Sequence, residues 1–244
     1  MSSVPSYQYP LRLPPLRRLE RRDFLVGAAN RAALAFVEAW PNWPGPVLIL
    51  RGPRGSGKSH LAHIWSGRAR ALELGGDALK GGSAREVLGG VKHLLIEHCD
   101  LILSRHPELE ETFYALFGAV AERGGSMLLT ARRAPAAWDV RLADLRSRLL
   151  EANQVAIGIP DDALLTCVFL KLMSDRQLES NPQVVRYILP RIERSLESLQ
   201  LLADRLDAGA MAASRRRRRV TIPLAKRALR SLEAEPDVLV HEGI

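Results

Sequence analysis

Val47-Leu48-Ile49-Leu50-Arg51-Gly52-Pro53-Arg54-Gly55-Ser56-Gly57-Lys58-Ser59-His60-Leu61-Ala62-His63-Ile64-Trp65 reads as strand, glycine-rich turn and helix in one run. Residues 47–50 are a short apolar segment suited to a buried strand, and residues 60–65 begin a helix. Between them, Gly52 to Ser59 matches G-x-x-x-x-G-K-[ST], the phosphate-binding P-loop. Glycines let the backbone curl until its N–H groups face an anion, and the helix N-terminus adds partial positive charge. Lys58 is placed to reach the β- and γ-phosphates of a nucleotide, and the Ser59 hydroxyl to ligate Mg²⁺. The expected ligands are ADP or ATP with Mg²⁺.

Around this motif strands and helices alternate. Residues 71–74, 94–97, 127–130 and 155–157 read as further strands, and residues 31–40, 108–123 and 142–150 as helices. That order predicts an α/β fold, a parallel sheet flanked by helices on both faces. Asn30 is a candidate cap for the first helix. From Pro160 onward the strand signals stop. Asp161-Asp162, Pro182 and Thr221-Ile222-Pro223 each open a helix, and Leu196, Leu199, Leu202 and Leu206 give a long one its apolar stripe. The expected organisation is an extended tail over residues 1–20, an α/β nucleotide-binding base over 21–159 and a small all-helical lid over 160–244.

With 244 residues, 47% of them hydrophobic, the chain can bury one or two cores. No apolar run reaches the length of a membrane span. The first residues carry prolines and charges where a secretory leader needs an apolar core, so a cytoplasmic protein is expected. Cys99 and Cys167 have no metal-ligand spacing, which fits a reducing compartment. The net charge is +8, and five of the positive charges lie in the run Arg215 to Arg219. That run reads as a solvated charged loop. A nucleic-acid backbone is the alternative, without aromatic residues to support base stacking.

A P-loop nucleotidase needs an acid at the end of a neighbouring strand to hold Mg²⁺. Only His93-Leu94-Leu95-Ile96-Glu97-His98 fits, with Glu97 on the metal side. His98 follows where many such enzymes carry a carboxylate that activates water. A neutral imidazole can accept a proton there. Asp100 is acidic but further along. His60 and His63 read as packing residues rather than metal ligands.

Phe24-Leu25-Val26-Gly27-Ala28-Ala29-Asn30, the P-loop followed by His60-Leu61, and Leu145-Arg146-Ser147-Arg148-Leu149 together resemble the DnaA-related AAA+ family. The length resembles its short Hda/HdaA-type branch, which regulates the initiator DnaA. Thr221-Ile222-Pro223-Leu224-Ala225-Lys226 is similar to the end of that branch. The resemblance implies that Leu25, Val26, Gly52, Pro53, Arg54, Gly55, Ser56, Gly57, Lys58, Ser59 and His60 contact nucleotide. It implies that Arg148 is an arginine finger offered to a nucleotide on a neighbouring DnaA subunit. It also implies that Gln8, Tyr9, Leu11 and Leu13 form a motif for the DNA polymerase sliding clamp; an extended, proline-stiffened segment of this kind can dock in a groove.

Three positions depart from the family pattern. His98 is one. Thr130-Ala131-Arg132-Arg133 stands where the family has a polar Ser-Asp pair. Glu197 aligns with a sensor arginine, for which Arg194 is the nearby substitute. These departures imply weak intrinsic ATP hydrolysis beside a retained finger. The implied function is negative regulation of replication initiation through hydrolysis of DnaA-bound ATP. A non-hydrolytic adaptor for DnaA or DNA, and an ATPase that loads or remodels a protein on DNA, are the alternatives. A homodimer is open.

Overall fold

The computed structural model describes residues 20–80, 84–213 and 218–234. Helix α1 (Arg31–Glu38) precedes β1 (Val47–Arg51), which runs into the P-loop and α2 (Lys58–Ala69). Then follow β2 (Leu72–Leu74), α3 (Ala84–Leu88), β3 (His93–Ile96), α4 (Cys99–Arg105), α5 (Glu110–Glu122), β4 (Ser126–Ala131), α6 (Ala143–Glu151) and β5 (Asn153–Ala156). The five strands pair in parallel in the order β2-β3-β4-β1-β5. The P-loop strand therefore lies inside the sheet, and its carboxyl end opens beside that of β4.

Successive strand residues point to opposite faces, and both faces are covered. Val47, Ile49, Leu94, Ile96, Met127 and Leu129 pack with Phe113, Leu116 and Leu145 from α5 and α6. Leu48, Leu50, Leu95 and Leu128 pack with Leu34, Leu61 and Trp65 from α1 and α2. A third core is separate. It lies among α7 (Asp162–Asp175), α8 (Pro182–Ile188), α9 (Leu196–Ala213) and α10 (Ile222–Ala234), around Phe169, Leu199, Leu202 and Leu206. The side chains of Asp161 and Asn181 cap α7 and α8 by accepting from the N–H groups of Leu164 and Val184.

The structure modifies four details. Asn30 does not cap α1 with its side chain. Its amide instead donates to the Leu25 carbonyl and its Oδ1 accepts from Gly27 N–H, pinning the preceding loop. Strand β3 ends at Ile96, so Glu97 lies one residue past the ladder. Helix α4 follows at once, although residues 99–103 carry no helix signal. The helical part also contains a parallel ladder of β6 (Glu179–Ser180) with β7 (Arg219–Val220). It is too short to leave a pattern in sequence.

Candidate functional site

The P-loop sits at the carboxyl end of β1, where parallel sheets bind ligands. Gly55 and Gly57 take φ values of +66° and +96°, a region that side chains disfavour. A Cβ at Gly52 would come within 2.4 Å of the Ile157 carbonyl oxygen. The curl is thus fixed by both conformation and space. Lys58 begins α2, is buried, and donates to the carbonyls of Gly52 and Pro53, each at 2.8 Å. Burial first, then the positive charge of Arg132, pushes its ammonium down to about 8. A desolvated cation inside a cradle of N–H groups fits a polyphosphate. The Ser59 hydroxyl has no hydrogen-bond partner among the described residues, while its carbonyl meets His63 Nδ1 at 2.6 Å.

Glu97 and His98 lie beside this cradle at the end of β3. Glu97 Oε1 and His98 Nδ1 are buried without a hydrogen-bond partner. Such orphaned polar atoms suit a metal with its bound water. Burial holds the His98 imidazole below its ordinary pKa, against the opposing pull of Glu97, so the ring is neutral at neutral pH. His98 adopts φ +57° as it turns into α4. Its N–H donates to the Thr130 hydroxyl at 3.0 Å, tying β3 to β4. The residues fit nucleotide with Mg²⁺. Among the described residues no group of three or more His, Cys, Asp or Glu could hold a metal by itself.

Asp100 takes a different part. It is 1% exposed, and its Oδ2 accepts from the N–H groups of Arg132 and Arg133 at 3.1 Å each. It thereby fixes the turn that carries the Arg132 charge towards Lys58 and His98. Nothing local in the sequence announces this contact.

Leu25 and Val26 lie on the loop that Asn30 pins. Gly27 of this loop abuts Leu164 of α7, so the loop lies between sheet domain and lid. Val26 is among the exposed large apolar residues. His60 packs edge-on against Phe24, with its Nε2 at 3.1 Å from the Glu20 carbonyl oxygen. The lid also reaches the P-loop directly. Arg54 forms a bidentate ion pair with Glu197, 2.9 Å for each bond, and Leu196 N–H donates to the Gly55 carbonyl at 2.7 Å. Arg194 pairs with Asp162 at 2.8 Å.

Arg148 lies within α6, exposed, with no ion-pair or hydrogen-bond partner for its guanidinium among the described residues. Gln8, Tyr9, Leu11 and Leu13 lie outside the described residues, as do Arg215 to Arg217. Of the remaining arginines of that run, Arg218 pairs with Asp207, and Arg219 is exposed on β7. No helix among the described residues is long and apolar enough to cross a membrane.

Residues 167–229 match the family described as Hda, lid domain. Among solved structures, domain III of the Thermotoga maritima replication initiation protein DnaA is similar at 17% identity and a TM-score of 0.75, over 87% of this chain and 96% of that one. AMPPCP-bound DnaA from Aquifex aeolicus is similar at 21% identity and a TM-score of 0.67, over 90% of this chain and 72% of that one. Thermotoga maritima RuvB is similar at 16% identity and a TM-score of 0.65, over 86% of this chain and 71% of that one. These likenesses show the AAA+ fold, a parallel sheet with a helical lid.

Proposed function

We propose, from the premise that this chain is a DnaA-related AAA+ protein with a lid of the Hda type, that it is a cytoplasmic negative regulator of replication initiation. It binds ADP or ATP with Mg²⁺ at the P-loop, docks on the sliding clamp through Gln8, Tyr9, Leu11 and Leu13, and promotes hydrolysis of the ATP held by DnaA. The observation that carries the reading is the Hda lid match on a chain whose α6 presents an exposed Arg148 that has no partner among the described residues.

Within the chain's own site, Lys58 and the curl from Gly52 to Gly57 hold the phosphates, and Ser59 and Glu97 hold the metal. Leu25 and Val26 face the base, with His60 supporting that loop. Bound Mg²⁺ would neutralise charge on the phosphates. His98 is neutral and cannot supply the negative charge with which a carboxylate orients water, which keeps the chain's own hydrolysis slow. Arg148 is offered instead to the nucleotide of DnaA, where a guanidinium stabilises charge on the transferring phosphoryl group. Arginine fingers of this kind change rates by roughly 10³–10⁵-fold. The arginines 215–219 are not a nucleic-acid site in this reading.

The deciding experiment reconstitutes DnaA-ATP, clamp loaded on DNA and this protein. Arg148→Ala is expected to abolish the stimulated hydrolysis while its melting temperature stays that of wild type. Stimulation that survives in Arg148→Ala overturns the finger. Removal of residues 1–13 is expected to abolish clamp dependence; stable DnaA complexes with unchanged nucleotide turnover would favour the adaptor.

A further inference from the structure

We propose that Arg54 and Glu197 form a latch through which the lid controls how fast nucleotide leaves the P-loop. The inference rests on the nucleotide reading above and adds to it a residue of the lid.

Arg54 stands at the tip of the P-loop. Its fork is taken by both oxygens of Glu197 at 2.9 Å, the geometry in which a guanidinium and a carboxylate bind best. One residue further, the Gly55 carbonyl accepts from Leu196 N–H at 2.7 Å. A Cβ on Gly55 would fall 2.6 Å from Ser195 Cβ. The loop tip and the first turn of α9 are therefore in backbone contact, with the ion pair at the rim. The start of α9 is itself built firmly. Ser195 Oγ accepts from Ser198 N–H at 3.0 Å, and the Ser198 hydroxyl donates to Glu193 at 3.1 Å.

The loop that wraps the phosphates thus has its outer edge fastened to the lid. Phosphates leave when the curl relaxes, and relaxing the curl moves its tip. Moving the tip requires Arg54 to part from Glu197. Both side chains are about a third exposed, 36% and 34%, so the pair can open without unfolding anything. Two other ion pairs, Lys171 with Asp23 at 2.9 Å and Arg194 with Asp162 at 2.8 Å, lie near or in the lid without touching the loop tip. Losing Glu197 therefore removes the ion pair and leaves the tip held to the lid by the Leu196–Gly55 backbone bond and the Ser195 contact alone.

The test follows release of methylanthraniloyl-ADP, chased with ADP, by stopped-flow fluorescence. Glu197→Gln and Glu197→Ala are expected to release it about fivefold faster than wild type, with little change in the association rate. Added salt should speed release from wild type more than from Glu197→Gln. Arg54→Ala combined with Glu197→Ala should release no faster than the faster single variant, because each acts through the other. Wild-type release rates in both Glu197 variants, or strictly additive effects in the double variant, overturn the latch. A wild-type protein that takes up no analogue would instead overturn the nucleotide reading, and the latch with it.

Discussion

Lys58 is held as an ammonium where little water reaches it. An unfolded lysine titrates near its ordinary value of 10.5, whereas this one is pushed down to about 8. Below pH 8 both states carry the proton, and holding the charge costs the native fold roughly 3 kcal/mol. Between pH 8 and 10.5 the native side chain gives up its proton first, and that cost is relieved. Phosphate recognition at the proposed nucleotide site would run the other way, because it needs the ammonium. The affinity for ADP is expected to fall as pH climbs through about 8, approaching tenfold per pH unit beyond it. In Lys58→Arg, whose charge persists across this range, the affinity should be flat. Calorimetric titration at a series of pH values checks both curves. At this scale the P-loop was legible because its whole instruction is local: eight consecutive residues fix curl, cation and hydroxyl. Asp100 and Glu197 were not, because their partners lie far along the chain, 143 residues away in the case of Arg54.

Elements are placed by buried polar side chains as much as by apolar stripes. Glu110 opens α5, is 5% exposed, and accepts from Arg141 N–H and, at 2.6 Å, from Leu142 N–H. It holds the chain where α6, the helix of Arg148, begins. Glu110→Ala is expected to cost about 2–4 kcal/mol in chemical denaturation, because two backbone donors lose their acceptor in a buried setting. If the proposed function holds, stimulation of DnaA weakens in parallel, and Glu110→Gln should be milder on both measures. The five strands of the sheet were readable from short apolar runs bounded by turn residues. Helix α4 was not. Its residues Cys99, Leu101, Ile102 and Leu103 continue the apolar run of β3, and only the left-handed turn at His98 separates the two. Asn30 shows the same limit: a residue suited to capping spends its side chain on the preceding loop.

At the scale of the whole molecule, the described residues form three cores, two against the sheet and one within the lid. The lid core does not depend on the sheet for its packing. Phe169, fully buried there, is its largest side chain. Phe169→Ala is expected to destabilise by about 3–5 kcal/mol. Hydrogen exchange should quicken in α7 to α10 and stay slow in β1, β3 and β4. Uniform acceleration across both would mean that sheet and lid unfold as one unit. The division into sheet domain and lid could be seen in sequence because alternation of strands with helices stops after Pro160. How the two meet could not, since their contacts are scattered single residues: Gly27 against Leu164, Gly55 against Ser195 and Leu196, Arg54 against Glu197, Asp23 against Lys171.

The ladder of Glu179–Ser180 with Arg219–Val220 has a mechanical meaning. It ties the stretch after α7 to the stretch before α10, closing residues 181–218 into a loop whose ends cannot drift apart. The clasp sits on the same core that the four helices share, with Val220 buried in it. The chain enters this helical unit through a stem at Gly158 to Pro160, where Gly158 N–H donates to the Ala29 carbonyl at 2.8 Å. The helical unit thereby has both a clasp between its own ends and a fastened point of entry from the sheet domain.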